Sequence, residues 1–180
     1  NVVLFFGSFR SPMNVDAVKV AAEVIFPLIQ QQHRDARLVI AGSGGNHDVA
    51  NLARHSSIEF IGYVEDIASM LHRAKVLLLP IRIGSGIKGR VLEAMEAGTP
   101  VVGSNIAAEG IGVQNGRTMF VADEPQVMAD KVVQLLRNEK LRREMAMFAR
   151  AFVEDRATEV AHLRLLLVRE LVAQQRAHLL

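Results

Sequence analysis

A chain of 180 residues is long enough to form one domain with its own hydrophobic core. Half of its residues are hydrophobic and 22% are charged, which excludes an intrinsically disordered tail. The net charge of +2, the scarce aromatic residues and the absence of cysteine argue against nucleic-acid binding, disulfides and thiolate metal sites. No apolar run approaches the roughly 20 residues that cross a bilayer, so we expect a soluble fragment.

The first predicted element is a strand over residues 2–6, an apolar run that ends at Gly7. Apolar residues then recur at helical spacing over residues 15–32, with Asn14 as the predicted N-cap. Five further strands are predicted at residues 36–41, 58–61, 76–79, 99–102 and 118–121. Helices are predicted at residues 47–54, 66–73 and 86–97, and over most of the chain from residue 125 onward.

This alternation predicts parallel strands joined by crossover helices. Right-handed crossovers give an α/β fold, a Rossmann-like doubly wound parallel sheet of about six strands. We predict a single domain over residues 1–180, with extra C-terminal helices. Its last segment, residues 157–180, is a predicted helix that packs on the domain or crosses to another. The opening residues resemble no signal peptide, and we expect a domain cut from a longer chain.

Glycine-bearing turns follow four of the predicted strands, at residues 7, 42–45, 62 and 84–86. In a doubly wound sheet the carboxyl ends of the strands share one edge, and ligands bind there. Each glycine alone is explained equally well by a tight turn with positive φ. Four such turns along one edge favour a cleft in which the backbone approaches a ligand closely.

The stretch over residues 80–102 carries the clearest chemical signal, because a loop of small residues there leads from a strand into a helix. The free N–H groups and the dipole of a helix start attract anions. Lys88 lies in the predicted first turn, where a cation is unfavourable unless a bound anion such as a diphosphate neutralises it. Glu93 lies about 500° further around the helix at ~100° per residue, so the two charges need separate partners. Solvated surface charges are the alternative explanation.

Residues 93–102, Glu-Ala-Met-Glu-Ala-Gly-Thr-Pro-Val-Val, resemble the motif Glu-Ala-Met-Ala-x-Gly-x-Pro-Val-Val of retaining group 1 glycosyltransferases of the GT-B fold. Other segments resemble the same family at residues 6–9, 12–17, 38–44, 58–66 and 107–111. The resemblance covers nearly the whole chain. It implies the C-terminal, nucleotide-sugar-binding half of such an enzyme, in a subgroup that reads Gly-Ser-Gly-Ile-Lys.

By that resemblance, Glu93 holds the ribose hydroxyls and the backbone at Tyr63 and Val64 faces the base. Lys88, with the N–H groups of residues 85–87, holds the diphosphate or the donor sugar. Stabilising the charge that grows on the leaving diphosphate lowers the barrier. We therefore predict Lys88 and Glu93 as catalytic. The remaining predicted binding residues are Gly7, Ser8, Gly42, Gly44, Arg82, Gly84, Ser85, Gly86, Ile87 and Leu92.

The chain departs from many relatives at three positions. Ser85 stands where the first of two glutamates often lies, and Ser8 and Asn14 stand where Arg and Lys are common. We expect Lys88 to replace these cations, with Arg10 or Arg82 as additional candidates.

The resemblance implies transfer of a sugar from a nucleotide diphosphate to an acceptor with retention, in bacterial cell-envelope polysaccharide synthesis. The acceptor, a sugar or lipid-linked glycan, would bind through an N-terminal domain outside this sequence, without which the fragment would be inactive. We predict no cofactor and no metal, and an intact enzyme in the cytoplasm or at the inner membrane face.

Two other functions remain open: a sugar-nucleotide epimerase of the same fold, and a non-catalytic interaction domain. The six histidines show no metal-binding spacing on a helix, and neither Ser43 nor Ser85 lies in a Gly-x-Ser-x-Gly turn. The turn at residues 42–46 lacks the full dinucleotide fingerprint, which disfavours a nicotinamide site.

Overall fold

Six parallel strands form the sheet, in the order β3-β2-β1-β4-β5-β6. The computed structural model describes residues 1–44, 47–53 and 55–157. The strands are β1 (Val2–Phe6), β2 (Arg37–Ala41), β3 (Ile58–Gly62), β4 (Val76–Leu79), β5 (Val101–Gly103) and β6 (Phe120–Val121). The order reverses between β1 and β4, which confirms the predicted doubly wound fold and places a crevice at their carboxyl ends.

Helices cover both faces of this sheet. They are α1 (Pro12–Lys19), α2 (Phe26–Gln32), α3 (His47–Leu52), α4 (Ile67–Arg73), α5 (Gly89–Ala97), α6 (Asn105–Ala108), α7 (Pro125–Arg137) and α8 (residues 139–157). A π-helical segment, Val20–Ile25, joins α1 to α2, so the helix predicted over residues 15–32 is continuous but widened in its middle. The predicted C-terminal helix lies outside the described residues from position 158 onward.

The central strands are buried on both faces, as their unbroken apolar runs predict. Leu4 and Phe5 of β1 and Leu77 and Leu78 of β4 have no exposed surface. The π-helical segment, α2 and α7 contact one another, while α4 contacts α5, as expected for two helical layers. Within residues 1–44, 47–53 and 55–157, every helix is too short or too polar to cross a bilayer.

The prediction of Asn14 as the first N-cap was wrong. Helix α1 begins at Pro12, with Ser11 as its N-cap. Proline suits the first helical position because its fixed φ fits a helix and its missing N–H would have no partner there. Asn14 therefore lies in the first turn, where its amide donates to the carbonyl of Ser8 at 2.7 Å.

The predicted start of α5, residue 86, was three residues too early. Gly84 and Gly86 have φ values of 120° and 77°, which hold the preceding loop out of a helical conformation. The helix begins at Gly89, and Lys88 is its N-cap rather than a residue of its first turn. The residue that follows Gly89 in the first turn is Arg90.

At the fifth strand, pairing covers Val101–Gly103 instead of residues 99–102. The hydroxyl of Thr99 donates to the carbonyl of Leu71 at 2.7 Å, which fixes this residue to the end of α4 before the strand begins.

Candidate functional site

A cavity of about 310 Å³ opens at the carboxyl ends of β1, β2 and β3. Its walls are the loops that follow these three strands, and Arg90 of α5 closes the side nearest β4. Five of the predicted binding residues line it: Gly7, Ser8, Gly42, Tyr63 and Val64. The cavity therefore lies beside the reversal of strand order, where doubly wound folds bind ligands.

Backbone hydrogen bonds tie these loops together. The N–H of Gly7 donates to the carbonyl of Ala41 at 3.0 Å, and the N–H of Gly42 donates to that of Gly62 at 2.6 Å. The approach is so close that a Cβ on Gly42 would lie 1.8 Å from the Gly7 oxygen. Glycine at position 42 is thus required by packing, and bare backbone forms this wall of the cavity.

Arg90 is the charged residue among the described residues that line this cavity, and it lies outside the set predicted from the sequence. Its Nη1 donates to the carbonyl of Phe6 at 2.5 Å and its Nη2 to Oδ1 of Asn14 at 2.8 Å. The guanidinium also lies 5.8 Å from the ring centre of Phe5. Burial lowers the pKa of Arg90, while the negative charge of Glu93 acts in the opposite direction.

Lys88 is in a different environment, although it lies only two residues from Arg90. Its side chain is buried, and its Nζ donates to the carbonyls of Ser85 and Gly86 at 3.0 and 2.6 Å. The amine thus braces the loop before α5, and it does not line the 310 Å³ cavity. Gly84, Ser85, Gly86 and Ile87 are exposed on this loop.

Glu93 is exposed and lines an adjoining hollow of about 350 Å³. Ile67 lines both this hollow and the cavity that contains Arg90, so the two form neighbouring parts of one surface. A Cβ on Gly89 would lie 3.7 Å from Oε1 of Glu93, which shows that the carboxylate leans toward the start of α5. Leu92 is half-buried and packs against the hydrophobic core.

Arg82 lines a separate cavity of about 420 Å³ near the ends of β4 and β5. Its Nε and Nη2 donate to the two carboxylate oxygens of Asp16 at 3.0 and 2.5 Å. This contact lowers the pKa of Asp16, chiefly through the hydrogen bond. Gly44 packs beside exposed Arg10, and neither lines the cavity that contains Arg90.

Residues 1–138 match the family described as glycosyl transferases group 1. The chain belongs to this family. The matched segment includes the complete sheet, both cavities and the loop before α5. Family membership therefore rests on the part of the chain that forms the candidate site.

Two comparisons show how the group 1 chain relates to other proteins. It is 34% identical over 149 residues to a phosphatidyl-myo-inositol mannosyltransferase of Mycobacterium leprae, covering 78% of this chain and 38% of that protein. It is 24% identical over 161 residues to an uncharacterised 44.6 kDa protein of the Klebsiella pneumoniae cps region, covering 85% of this chain and 42% of that protein. The chain thus spans about two fifths of the length of these relatives.

Solved structures share the fold. One is the C-terminal domain of a group 1 glycosyl transferase from Francisella tularensis, with a TM-score of 0.68, 20% identity, and coverage of 86% of this chain and 84% of that one. Another is Anabaena HepE in complex with UDP and glucose, with a TM-score of 0.70, 17% identity, and coverage of 86% and 44%. Both likenesses support the same α/β architecture.

Among residues 1–44, 47–53 and 55–157, no three histidine, aspartate or glutamate side chains are grouped as ligands for a metal ion. The candidate site consists of its backbone walls, the start of α5, and the side chains of Arg90 and Glu93.

Proposed function

We propose that this chain is the C-terminal, donor-binding half of a retaining glycosyltransferase in the Gly-Ser-Gly-Ile-Lys subgroup. The observation that carries the proposal is the cavity at the strand-order reversal, which brings backbone walls, the start of α5 and Arg90 together. Such a site suits a nucleotide diphosphate, because it offers close backbone contact at one end and positive charge at the other.

In this proposal the base lies against the backbone of Tyr63 and Val64, which line the cavity where β3 ends. The ribose hydroxyls lie at Glu93, whose exposed carboxylate is free to accept hydrogen bonds. Ile67 lies between these two regions and lines the hollows on both sides. The arrangement supports a nucleoside that spans the adjoining hollows.

The diphosphate and sugar then lie toward the start of α5. The exposed loop over residues 84–87 supplies backbone N–H groups near the positive end of a nine-residue helix. Lys88 supports this loop from beneath through its two carbonyl contacts. Positive charge and aligned N–H groups at this point favour departure of the diphosphate when the glycosidic bond to the nucleotide breaks.

The intact enzyme, in this proposal, transfers a sugar from a nucleotide diphosphate to an acceptor sugar or lipid-linked glycan held by an N-terminal domain. It acts in the cytoplasm or at the inner membrane face, without a cofactor or metal. The mannosyltransferase named among the relatives acts, by its name, on phosphatidyl-myo-inositol. Membership in the transferase family favours sugar transfer over the epimerase and the non-catalytic alternatives.

Calorimetric titration of the 180-residue chain with UDP, GDP and ADP tests donor binding. We expect one of the three to bind more tightly than the others, because the cavity has a single base-facing wall. The proposal is wrong if none of them binds at concentrations up to millimolar.

The roles of Lys88 and Glu93 require the full-length protein. We expect Glu93→Ala to weaken donor binding and lower transfer, since it removes the acceptor for the ribose hydroxyls. Lys88→Ala should lower transfer by disordering the loop that its amine braces. Circular dichroism must show both variants folded, and unchanged transfer rates would exclude these residues from the site.

A further inference from the structure

The cavity at the ends of β1, β2 and β3 contains a positive charge that the protein does not neutralise. Arg90 is its one charged lining residue among those that the structure describes, and both of its hydrogen-bond acceptors are neutral. In the described part of the chain, no carboxylate forms an ion pair with it. A partly buried cation without a counter-charge is costly, and a bound anion offsets that cost.

The position of Arg90 on its helix adds to this cost. Arg90 follows Gly89 in the first turn of α5, where the helix dipole is unfavourable to a cation. The negative charge of Glu93, one turn later, acts on Arg90, but this carboxylate is exposed to solvent. An anion bound beside Arg90 would interact favourably with both the guanidinium and the helix start.

The surrounding loops hold the guanidinium in one orientation. Asn14 is 7% exposed and is itself fixed, because its amide donates to the Ser8 carbonyl while its Oδ1 accepts from Arg90. Gly7 leaves the space that both side chains occupy, since a Cβ there would lie 2.6 Å from Nη1 of Arg90. Only two of the five guanidinium N–H donors are used in these bonds, which leaves others for a ligand.

We propose that Arg90 binds the diphosphate of the nucleotide-sugar donor and that Asn14 is its positioning residue. This inference rests on the proposed function and assigns the phosphate contact to a residue outside the predicted set. The planar fork of arginine suits phosphate oxygens, and Lys88 has already committed its amine to its own loop. The cation that faces the cavity therefore comes from α5 and not from the loop after β1.

A comparison of two substitutions isolates the charge. Arg90→Gln removes the charge and keeps a polar side chain with an amide donor, whereas Arg90→Lys keeps the charge and loses the planar fork. We expect Arg90→Gln to weaken UDP binding by about 10- to 100-fold and Arg90→Lys by about tenfold or less. Uridine, which has no phosphate, should bind the wild type, Arg90→Gln and Arg90→Lys with equal affinity. Arg143→Gln, which removes an exposed cation paired with Glu139 on α8, is the matched control and should change neither affinity.

Titrations followed by nuclear magnetic resonance measure the affinities of the 180-residue chain for UDP and for uridine. If UDP does not bind, GDP and guanosine, or ADP and adenosine, are used in their place. Equal UDP affinities in the wild type and Arg90→Gln would overturn the assignment while leaving donor binding intact. If no nucleotide binds the wild type, the proposed function fails instead.

A measurement on the wild-type protein keeps the test decisive if Arg90→Gln does not fold. The Nε–H resonance of Arg90, assigned from its loss in Arg90→Lys, should shift on saturation with UDP and stay in place with uridine. A resonance that is unmoved by saturating UDP contradicts a phosphate contact. The resonance of Arg143 on α8 serves as the internal reference.

Discussion

The two cavities at the strand ends differ in how their charges are balanced. In the cavity of about 420 Å³, Arg82 is paired with Asp16, and Asp123 accepts hydrogen bonds from the backbone and side chain of Asn105. In the cavity of about 310 Å³, the acceptors of Arg90 among the described residues are a backbone carbonyl and the neutral amide of Asn14. Each cation lies near α1, yet within the part of the chain that the structure describes Arg82 is paired with a carboxylate and Arg90 is not.

This difference separates charges that serve the fold from charges that are available to a ligand. Arg82 is 61% exposed at its side chain, so water and Asp16 together satisfy it. Arg90 is less accessible, and burial lowers its pKa while the charge of Glu93 acts in the opposite direction. The smaller cavity is therefore the one that gains most from binding an anion.

The largest effect is expected from Gly42→Ala, which destroys the wall of the smaller cavity. A Cβ at this position would overlap the Gly7 carbonyl, and backbone cannot move aside as a flexible side chain can. We expect a loss of at least about 3 kcal/mol in the free energy of unfolding, or failure to fold. Urea denaturation followed by circular dichroism measures it.

Gly62→Ala is the control for Gly42→Ala. Gly62 has a φ of 71° but no atom within 4 Å of an added Cβ, so only the conformational penalty of about 1 kcal/mol applies. Equal losses in the free energy of unfolding would mean that the contact between the new Cβ and the Gly7 carbonyl adds nothing to the cost at position 42.

Asn14→Asp tests the difference between the two cavities directly. It gives Arg90 a carboxylate partner, as Asp16 is for Arg82. The new charge would pair with Arg90 and repel phosphate, so we expect UDP affinity to fall about tenfold. Uridine affinity should be unchanged. Parallel titrations with the two ligands measure this split, after a thermal melt has shown the variant to be folded.

Gln134→Glu makes the same change in net charge on the exposed surface of α7 and should leave UDP affinity unaltered. A loss of UDP affinity in this control would point to long-range charge repulsion. An unchanged affinity in Asn14→Asp would mean that Arg90 does not contact the phosphates.

The fold was predictable from the sequence because its main signals are strong and local. The apolar runs of β1 and β4 are unbroken, and the glycine turns mark the ends of strands. The element order then determines a doubly wound sheet through the handedness of crossovers. The wall formed by residues 7, 42, 63 and 64 follows from that topology, since all four positions come directly after strands.

Arg90 could not be found in this way, because its role depends on where α5 begins. Starting the helix at residue 86 placed Lys88 in the first turn, and Arg90 therefore fell outside it. The positive φ values at Gly84 and Gly86 shift that start to Gly89, and only then does Arg90 occupy the first turn. Its contact with Asn14 joins residues 76 positions apart, which spacing along the chain does not reveal.

The smallest effect is expected in the larger cavity, from Asp16→Asn. The hydrogen bond from Arg82 lowers the pKa of Asp16, so the pair stabilises the folded protein above the unfolded pKa of about 3.9. That contribution is lost as the pH falls through the depressed folded value. Because Arg82 is largely exposed, we expect Asp16→Asn to cost less than about 1 kcal/mol at pH 7.

Urea denaturation of wild type and Asp16→Asn at a series of pH values measures this difference. The gap between the two proteins should close as the medium becomes more acidic, and UDP affinity should be the same in both at pH 7. A cost that persists below the folded pKa would assign the effect to packing of Asp16 rather than to its charge. A loss of UDP affinity would instead show that the balanced cavity also supports the ligand, and the distinction between the two cavities would fail.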